Sequence, residues 1–439
     1  MNRNTGFINL ARLTLFQISL GIIYFILTDT LNRVMTIELS IAAWIVGSLI
    51  GIREIMALIG IKIWAGNLSD KTHFLGYKRT PFILGGLLAS AISFYFIAPT
   101  AFEVQSNYML GILKLLIAFT IFGIGYNASL TAYYALIADI AGEKNIPKVA
   151  AMSWTLMVLG GIVTSVLMSS YLKEFSEERF VSALQTASLI SIAIGFVTII
   201  GVEDRTDESI KNISNETLTF LASLKLINAS PLTKKFAFYI FISIFAAFGT
   251  ELILEPFGAD VLGLSVSETT KFRQYLGLPQ LLFMILTGFI INRFGIKKAV
   301  LVGNAVATVG YTLLISAGVF QLQKLLIPSL ILVGVGLGFC TVGNIVMMMM
   351  MNAGRSGLYV GLWGTAQSLA MFLSGTGVGA IRDIMLHFFA NPMMGYTIIF
   401  LLVIGAFTIS TSMLPSISKE NFEAESKVKL EEVLATAAD

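Results

Sequence analysis

Histidine, cysteine and charge are scarce in this chain, and each scarcity removes a class of function. Of 439 residues only two are histidine and one is cysteine. Cys340 lies inside an apolar run, so the sequence offers neither a disulfide framework nor a cysteine metal site. His73 and His387 both fall between the long apolar runs, which weighs against a haem held by imidazole. Charged residues make up 13% of the chain and the net charge is +3. With no basic run to add to it, that balance excludes nucleic acid as a partner. No phosphate-binding loop, nucleophile elbow or metal-ligand cluster is present, so covalent catalysis has no equipment and the expectation is a protein that is not an enzyme, with no catalytic or metal-binding residue.

Apolar residues are what the chain has in quantity. They account for 56% of it, and the mean hydropathy is +0.83. No soluble domain hides that much apolar surface, so lipid is the solvent for most of the molecule. A helix needs about 20 apolar residues to cross a bilayer, which gives about twelve spans. They include 12–34, 41–63, 109–135, 236–255, 273–292, 325–351 and 393–413. The first runs on to spanning length with no cleavage pattern, so it is read as a span and not a signal peptide. Placing both termini in the cytoplasm puts most Lys and Arg on the inner side. The predicted fold class is an all-α membrane protein. Its expected domains are an N-terminal six-helix half (1–202), a cytoplasmic linker (203–235), a C-terminal six-helix half (236–415) and a cytoplasmic tail (416–439).

The two halves repeat. One offset lays Asp29 over Glu251, Arg33 over Glu255, Gly66 over Gly288 and Asp70 over Asn292. A second lays GIGY at 123–126 over GLGF at 336–339 and Asp139 over Asn352. Two parallel six-helix repeats form the architecture of a two-bundle transporter, with a cavity expected between them at mid-membrane.

Charges inside the spans are the first site candidates, because each costs about 2.5–3.5 kcal/mol to insert. Asp29 and Arg33 stand four apart, at the spacing for a pair on one helical face. Arg53 and Glu54 in the second span, Lys114 in the fourth, and Glu251 and Glu255 in the seventh join them. Two readings stay open. The charges are buried pairs that fix helix register, or Asp29, Arg53, Glu251 and Glu255 line the cavity and carry a coupling proton or hold a polar headgroup. Asn127, Asn304, Asn344 and Gln367 are expected mainly to hydrogen-bond between helices. Of the Met347–Met351 run, only a part can face any one cavity.

GNLSDKTHFLGYKR at 66–79 resembles the signature loop of the major facilitator superfamily. Gly66 suits close helix approach, Asp70 suits capping of a neighbouring helix, and Gly76 suits a tight turn. Lys78 and Arg79 supply cytoplasmic charge. The resemblance implies that this loop, with Asp139 as a second acid, is part of a latch on the inner side.

Several stretches together are similar to one family. TDTLNRVMTIEL (28–39), GNLSD and GYKRTPF (66–82), ALIADIAGEKNIPKVAAMSW (135–154), LEPFGADVLGLSVSETTKF (254–272) and GLYVGLWGTAQSLA (357–370) resemble the PucC/LhaA family. These are major-facilitator-like proteins of photosynthetic membranes, also called the bacteriochlorophyll delivery family. The resemblance implies a helper that supplies chlorophyll or bacteriochlorophyll, as transient cargo, to antenna or photosystem polypeptides. It implies a thylakoid or bacterial inner membrane, membrane lipids around the protein, and contact with chlorophyll-synthesis enzymes. The second span reads ALIGIKIW, a departure that points to a cyanobacterial-type branch. With no histidine in any span, pigment magnesium would be held by water, by an amide such as Asn127, or not at all. The alternative is an ion-coupled symporter of a small polar solute, working by alternating access.

Overall fold

The computed structural model describes residues 3–72, 74, 76–141, 146–204, 231–351, 356–389, 391–420 and 422. His73, Asn352, most of the 203–235 linker and most of the tail lie outside the described residues, as does the side chain of Asp70. Among the described residues the chain is helical, with one isolated bridge between Phe74 and Tyr77 and no strand. Among the described residues, eleven helices are long and apolar enough to cross a membrane, or twelve if a bent pair counts as one span. The α-helices, in chain order, are α1 (Arg3–Ile26), α2 (Ala43–Leu58), α3 (Ile61–Lys71), α4 (Thr80–Ser106), α5 (Tyr108–Ala141), α6 (Ile146–Tyr171) and α7 (Glu177–Ile199). The second half contributes α8 (Pro231–Phe248), α9 (Leu254–Leu262), α10 (Val266–Thr270), α11 (Phe272–Phe294), α12 (Ile296–Val319), α13 (Leu326–Met350), α14 (Ser356–Phe388) and α15 (Pro392–Met413).

The chain divides into two compact units that do not follow a single cut. Unit 1 takes Met1–Ile41, Ser48–Ser214 and Leu264–Gln274; unit 2 takes Ala42–Gly47, Asn215–Gly263 and Tyr275–Asp439. Each unit therefore includes the opening residues of a span from the other half of the sequence. The two exchanged segments begin at Ala42 and Leu264, the interval that also relates Asp29 to Glu251.

Three spans differ from the apolar pattern, each for a local reason. The first continues beyond α1 through π-helical turns at Leu27–Leu31 and Val34–Glu38. The second is not straight: α2 and α3 meet at 51°, because Gly60 takes φ +105°, a left-handed conformation that glycine adopts without a side-chain clash. The seventh stops at Phe248, and residues 249–253 form a turn before α9. At the repeat offset, the turn at 249–253 lies over the π-helical Leu27–Leu31, so both halves interrupt their α-helix at one repeat position.

Within unit 1, α4 and α5 cross backbone to backbone. A Cβ on Gly86 would strike the carbonyl oxygen of Gly125, and one on Gly125 would strike that of Gly86. Gly303 and Gly336 make the matching crossing of α12 and α13 in unit 2. Such contacts replace the hydrophobic drive that lipid removes. Serine hydroxyls add pins between helices, Ser191 to the Ser19 carbonyl at 2.7 Å and Ser129 to that of Ile83 at 2.8 Å. Unit 2 packs Phe236, Tyr239, Leu362 and Trp363 around Met347 and Met348, and Phe422 closes that cluster.

Candidate functional site

The π-helical stretch of the first span carries a buried polar site. Asp29 does not pair with Arg33. Its carboxylate receives both arms of Arg273, Nε to Oδ2 at 2.6 Å and Nη2 to Oδ1 at 2.7 Å, and that guanidinium lies 4.2 Å over the Phe25 ring. Arg33 instead donates to Glu38 at 2.7 Å and to the Leu264 carbonyl at 2.9 Å. The reason is helical pitch. A π-helix stacks residue i over i+5, so Glu38 takes the place that an α-helix would give to a residue four along. Arg273 went unnoticed in the sequence, because it stands at the edge of an apolar run and its partner is 244 residues away.

Polar side chains stitch the segment around Arg273 to α6. Ser165 donates to the Thr270 carbonyl at 2.6 Å, Ser267 to that of Ser169 at 2.5 Å, and Gln274 lies 3.3 and 3.2 Å from the hydroxyls of Ser165 and Ser169. Thr30 meets Thr270 at 3.3 Å. The Asp29–Arg273 pair is thus held on three sides, by the π stretch, by α6 and by its own segment.

A second cluster sits on α2 and α5. Arg53 donates through Nε to Glu54 at 2.9 Å and also through Nη2. Its guanidinium lies over the rings of Tyr24 and Tyr126, 4.4 and 5.2 Å from their centroids. Asn127 donates its amide to the Arg53 carbonyl and to the Gly123 carbonyl, each at 2.8 Å, which is a helix-packing role. Asn304 and Asn344 are likewise consumed in packing, through Ser410 and Thr411 for the first and Tyr239 and Ser243 for the second. Lys114 is exposed near the start of α5, where it pairs with Glu103 at 2.5 Å.

In unit 2, Glu251 lies half-buried in the turn before α9 and Glu255 is buried in the first turn of α9. Thr250, between α8 and α9, bonds Tyr311 at 2.6 Å. The ion pair of this unit that the sequence reading missed is Arg382 with Asp260, at 2.5 Å, with Tyr396 donating to the same carboxylate at 2.6 Å. Asp383 accepts from the Trp44 amide at 2.9 Å, capping the start of α2. Asp260 lies over Glu38 at the repeat offset, so both halves place an arginine-bound acid there.

The 66–79 loop is built from different contacts than its sequence suggests. Gly76 does turn the chain, at φ +84°. Gly66 makes no close crossing, since a Cβ there would meet only Thr131 at an ordinary 3.6 Å. Arg79 reaches Asp139 at 3.0 Å and Ser69 at 2.7 Å. The start of α4 is capped by Glu203, whose carboxylate accepts the amides of Lys78, Arg79 and Thr80 at 2.7–3.2 Å. A carboxylate suits the positive end of a helix, and this one comes from the head of the linker. His387 is not in a loop but in the last turn of α14.

The family model described as PUCC protein matches residues 30–422, from the π-helical stretch to the aromatic Phe422. The chain belongs to the PUCC protein family. A relative from Rhodobacter capsulatus named "Bacteriochlorophyll synthase 44.5 kDa chain" is 29% identical over 85% of this chain and 87% of its own. "Protein PucC" of the same organism is 28% identical over 85% and 83%. Among solved structures, this PUCC family chain resembles the nucleoside transporter NupG (TM-score 0.69, 15% identity, 93% and 99% covered) and a D-xylose-proton symporter (0.65, 17%, 92% and 97%). The resemblance gives the fold, that of the major facilitator superfamily. The chain is a multi-pass membrane protein of that architecture.

Proposed function

We propose that this PUCC family protein is a non-enzymatic assembly factor of photosynthetic membranes, handing chlorophyll or bacteriochlorophyll to antenna or photosystem polypeptides. The observation that carries this reading is the family match over residues 30–422, with relatives named for PucC and for bacteriochlorophyll synthesis. The site geometry supports it. Asp29, Arg33, Arg53 and Arg382 are bound to opposite charges within their own units, which leaves apolar contact as the main means of holding a cargo. Each buried CH₂ of a pigment tail contributes about 0.8 kcal/mol, enough to retain pigment without a strong metal ligand and to let it go again. In this reading the termini and the Arg79–Asp139 contact are cytoplasmic, the membrane is thylakoid or bacterial inner, and chlorophyll-synthesis enzymes and antenna polypeptides are the partners.

Deleting the gene tests the reading. Assembled pigment–protein complex should fall while free pigment is still made, and normal assembly would contradict it. A second reading, ion-coupled symport of a small polar solute, draws on the buried Asp29–Arg273 pair. It predicts proton-dependent solute uptake that Asp29→Asn abolishes.

A further inference from the structure

At the end of α12 the chain turns through Gln321 at φ +55°, one of two positive-φ residues other than glycine among those described. Such backbone is strained, persists only where its surroundings fix it, and collects at ligand clamps. Gln321 is fixed by its own amide, Nε2 donating to the Gly318 carbonyl at 2.9 Å. The turn bounds a cavity of about 320 Å³, formed within unit 2 by the end of α12 and the start of α15. Gly318 sets how closely the two helices meet, since a Cβ on it would strike the Met393 sulfur.

The lining is apolar, with one place for a hydrogen bond. Val319, Met393, Met394 and Ile398 form its apolar part, and no charged side chain lines it. Methionine adapts to irregular shapes, so such a wall accepts a flexible chain. Of the polar lining side chains, Gln321 and Thr397 direct donors to the backbone, Thr397 to the Met393 carbonyl at 2.8 Å. Asn391 caps α15 through Oδ1, which accepts the Met393 amide at 2.9 Å, while no described residue accepts from its Nδ2. One donor at the edge of an uncharged apolar wall suits one neutral carbonyl on an apolar chain. The helix ends put the cavity at the membrane boundary, where Phe320 and Phe388 stand 67% and 72% exposed.

We propose that this cavity holds the esterified end of an apolar tail. Taken with the delivery reading, on which the owner of the tail rests, the cargo is a pigment ester. Asn391 Nδ2 donates to the ester carbonyl, and the chain lies along Val319, Met393, Met394 and Ile398. Each CH₂ covered there tightens binding about fourfold, so the tail and not the ring sets the affinity. A pigment without its tail loses both contacts.

The test titrates chlorophyll, chlorophyllide and dioleoylglycerol against the full chain in detergent, as the native protein, Asn391→Asp and Val319→Trp. Asn391→Asp keeps the capping oxygen and removes only the donor, and Val319→Trp fills the cavity from its exposed rim, so melting temperatures should stay at the native value. Chlorophyll should bind at least about tenfold more tightly than chlorophyllide, since several CH₂ groups are covered. Asn391→Asp should weaken chlorophyll about tenfold, as an unmet hydrogen bond implies, and Val319→Trp at least as much. Equal chlorophyll binding by all three proteins, or chlorophyllide bound as tightly as chlorophyll, would overturn the tail cavity and leave delivery standing. Dioleoylglycerol binding that needs Asn391, with neither pigment bound, would give the cavity to membrane lipid and end the delivery reading. Failure of all three probes to bind would overturn both.

Discussion

Asp29 announces itself in the sequence as a charge where lipid should be, but its partner does not. Arg273 is 244 residues away, and only folding brings it within 2.6 Å. Spacing within a helix predicted Arg33 instead, because the α-helical period was assumed where the backbone widens to a π-helix. Glu203 was missed for a related reason: a single acid at the head of a polar linker gives no hint that it caps α4, more than 120 residues earlier. Two outcomes follow at this scale. Arg273→Gln should lower folded abundance sharply, since removing one partner of a buried pair costs about 3–5 kcal/mol. Asp29→Asn with Arg273→Gln should recover much of it. Thermal stability of the purified variants checks this, and equal losses in the single and double variants would show that the pair is not what stabilises the fold. Glu203→Gln should cost about 1 kcal/mol, the worth of a helix cap, and loosen the 76–80 turn in hydrogen exchange.

Elements were easier to read than their irregularities. Apolar runs of spanning length located the helices, and the repeat offset paired them, because lipid imposes both requirements on composition. What composition does not show is where a helix bends or stops. The broken second span depends on one glycine at φ +105°, and the shortened seventh depends on a turn at 249–253, where Glu251 marks a charge but nothing in the spacing marks the end of a helix. Gly60→Ala should therefore destabilise by about 1 kcal/mol, the strain of a side chain in a left-handed position, seen as a lower melting temperature. Gly125→Val, which would drive methyls into the Gly86 carbonyl, should be far more damaging, and unchanged expression of that variant would contradict the backbone crossing of α4 and α5.

At the level of the whole molecule, the two-half membrane fold was legible because it is written twice in the chain. The cargo was not, because the chain's two histidines are a thin signal, His387 at the very end of α14 and His73 outside the described residues, and the family resemblance carries that part of the account. Weak ligation is also what a carrier requires, since a pigment held too tightly cannot be handed on. Gentle purification of the full-length protein from its native membrane, followed by an absorption spectrum and identification of co-purifying polypeptides, is the most direct test. Delivery predicts less than one chlorophyll or bacteriochlorophyll per protein, lost on washing with detergent, together with antenna or photosystem polypeptides. A preparation free of pigment and of photosynthetic partners would contradict it.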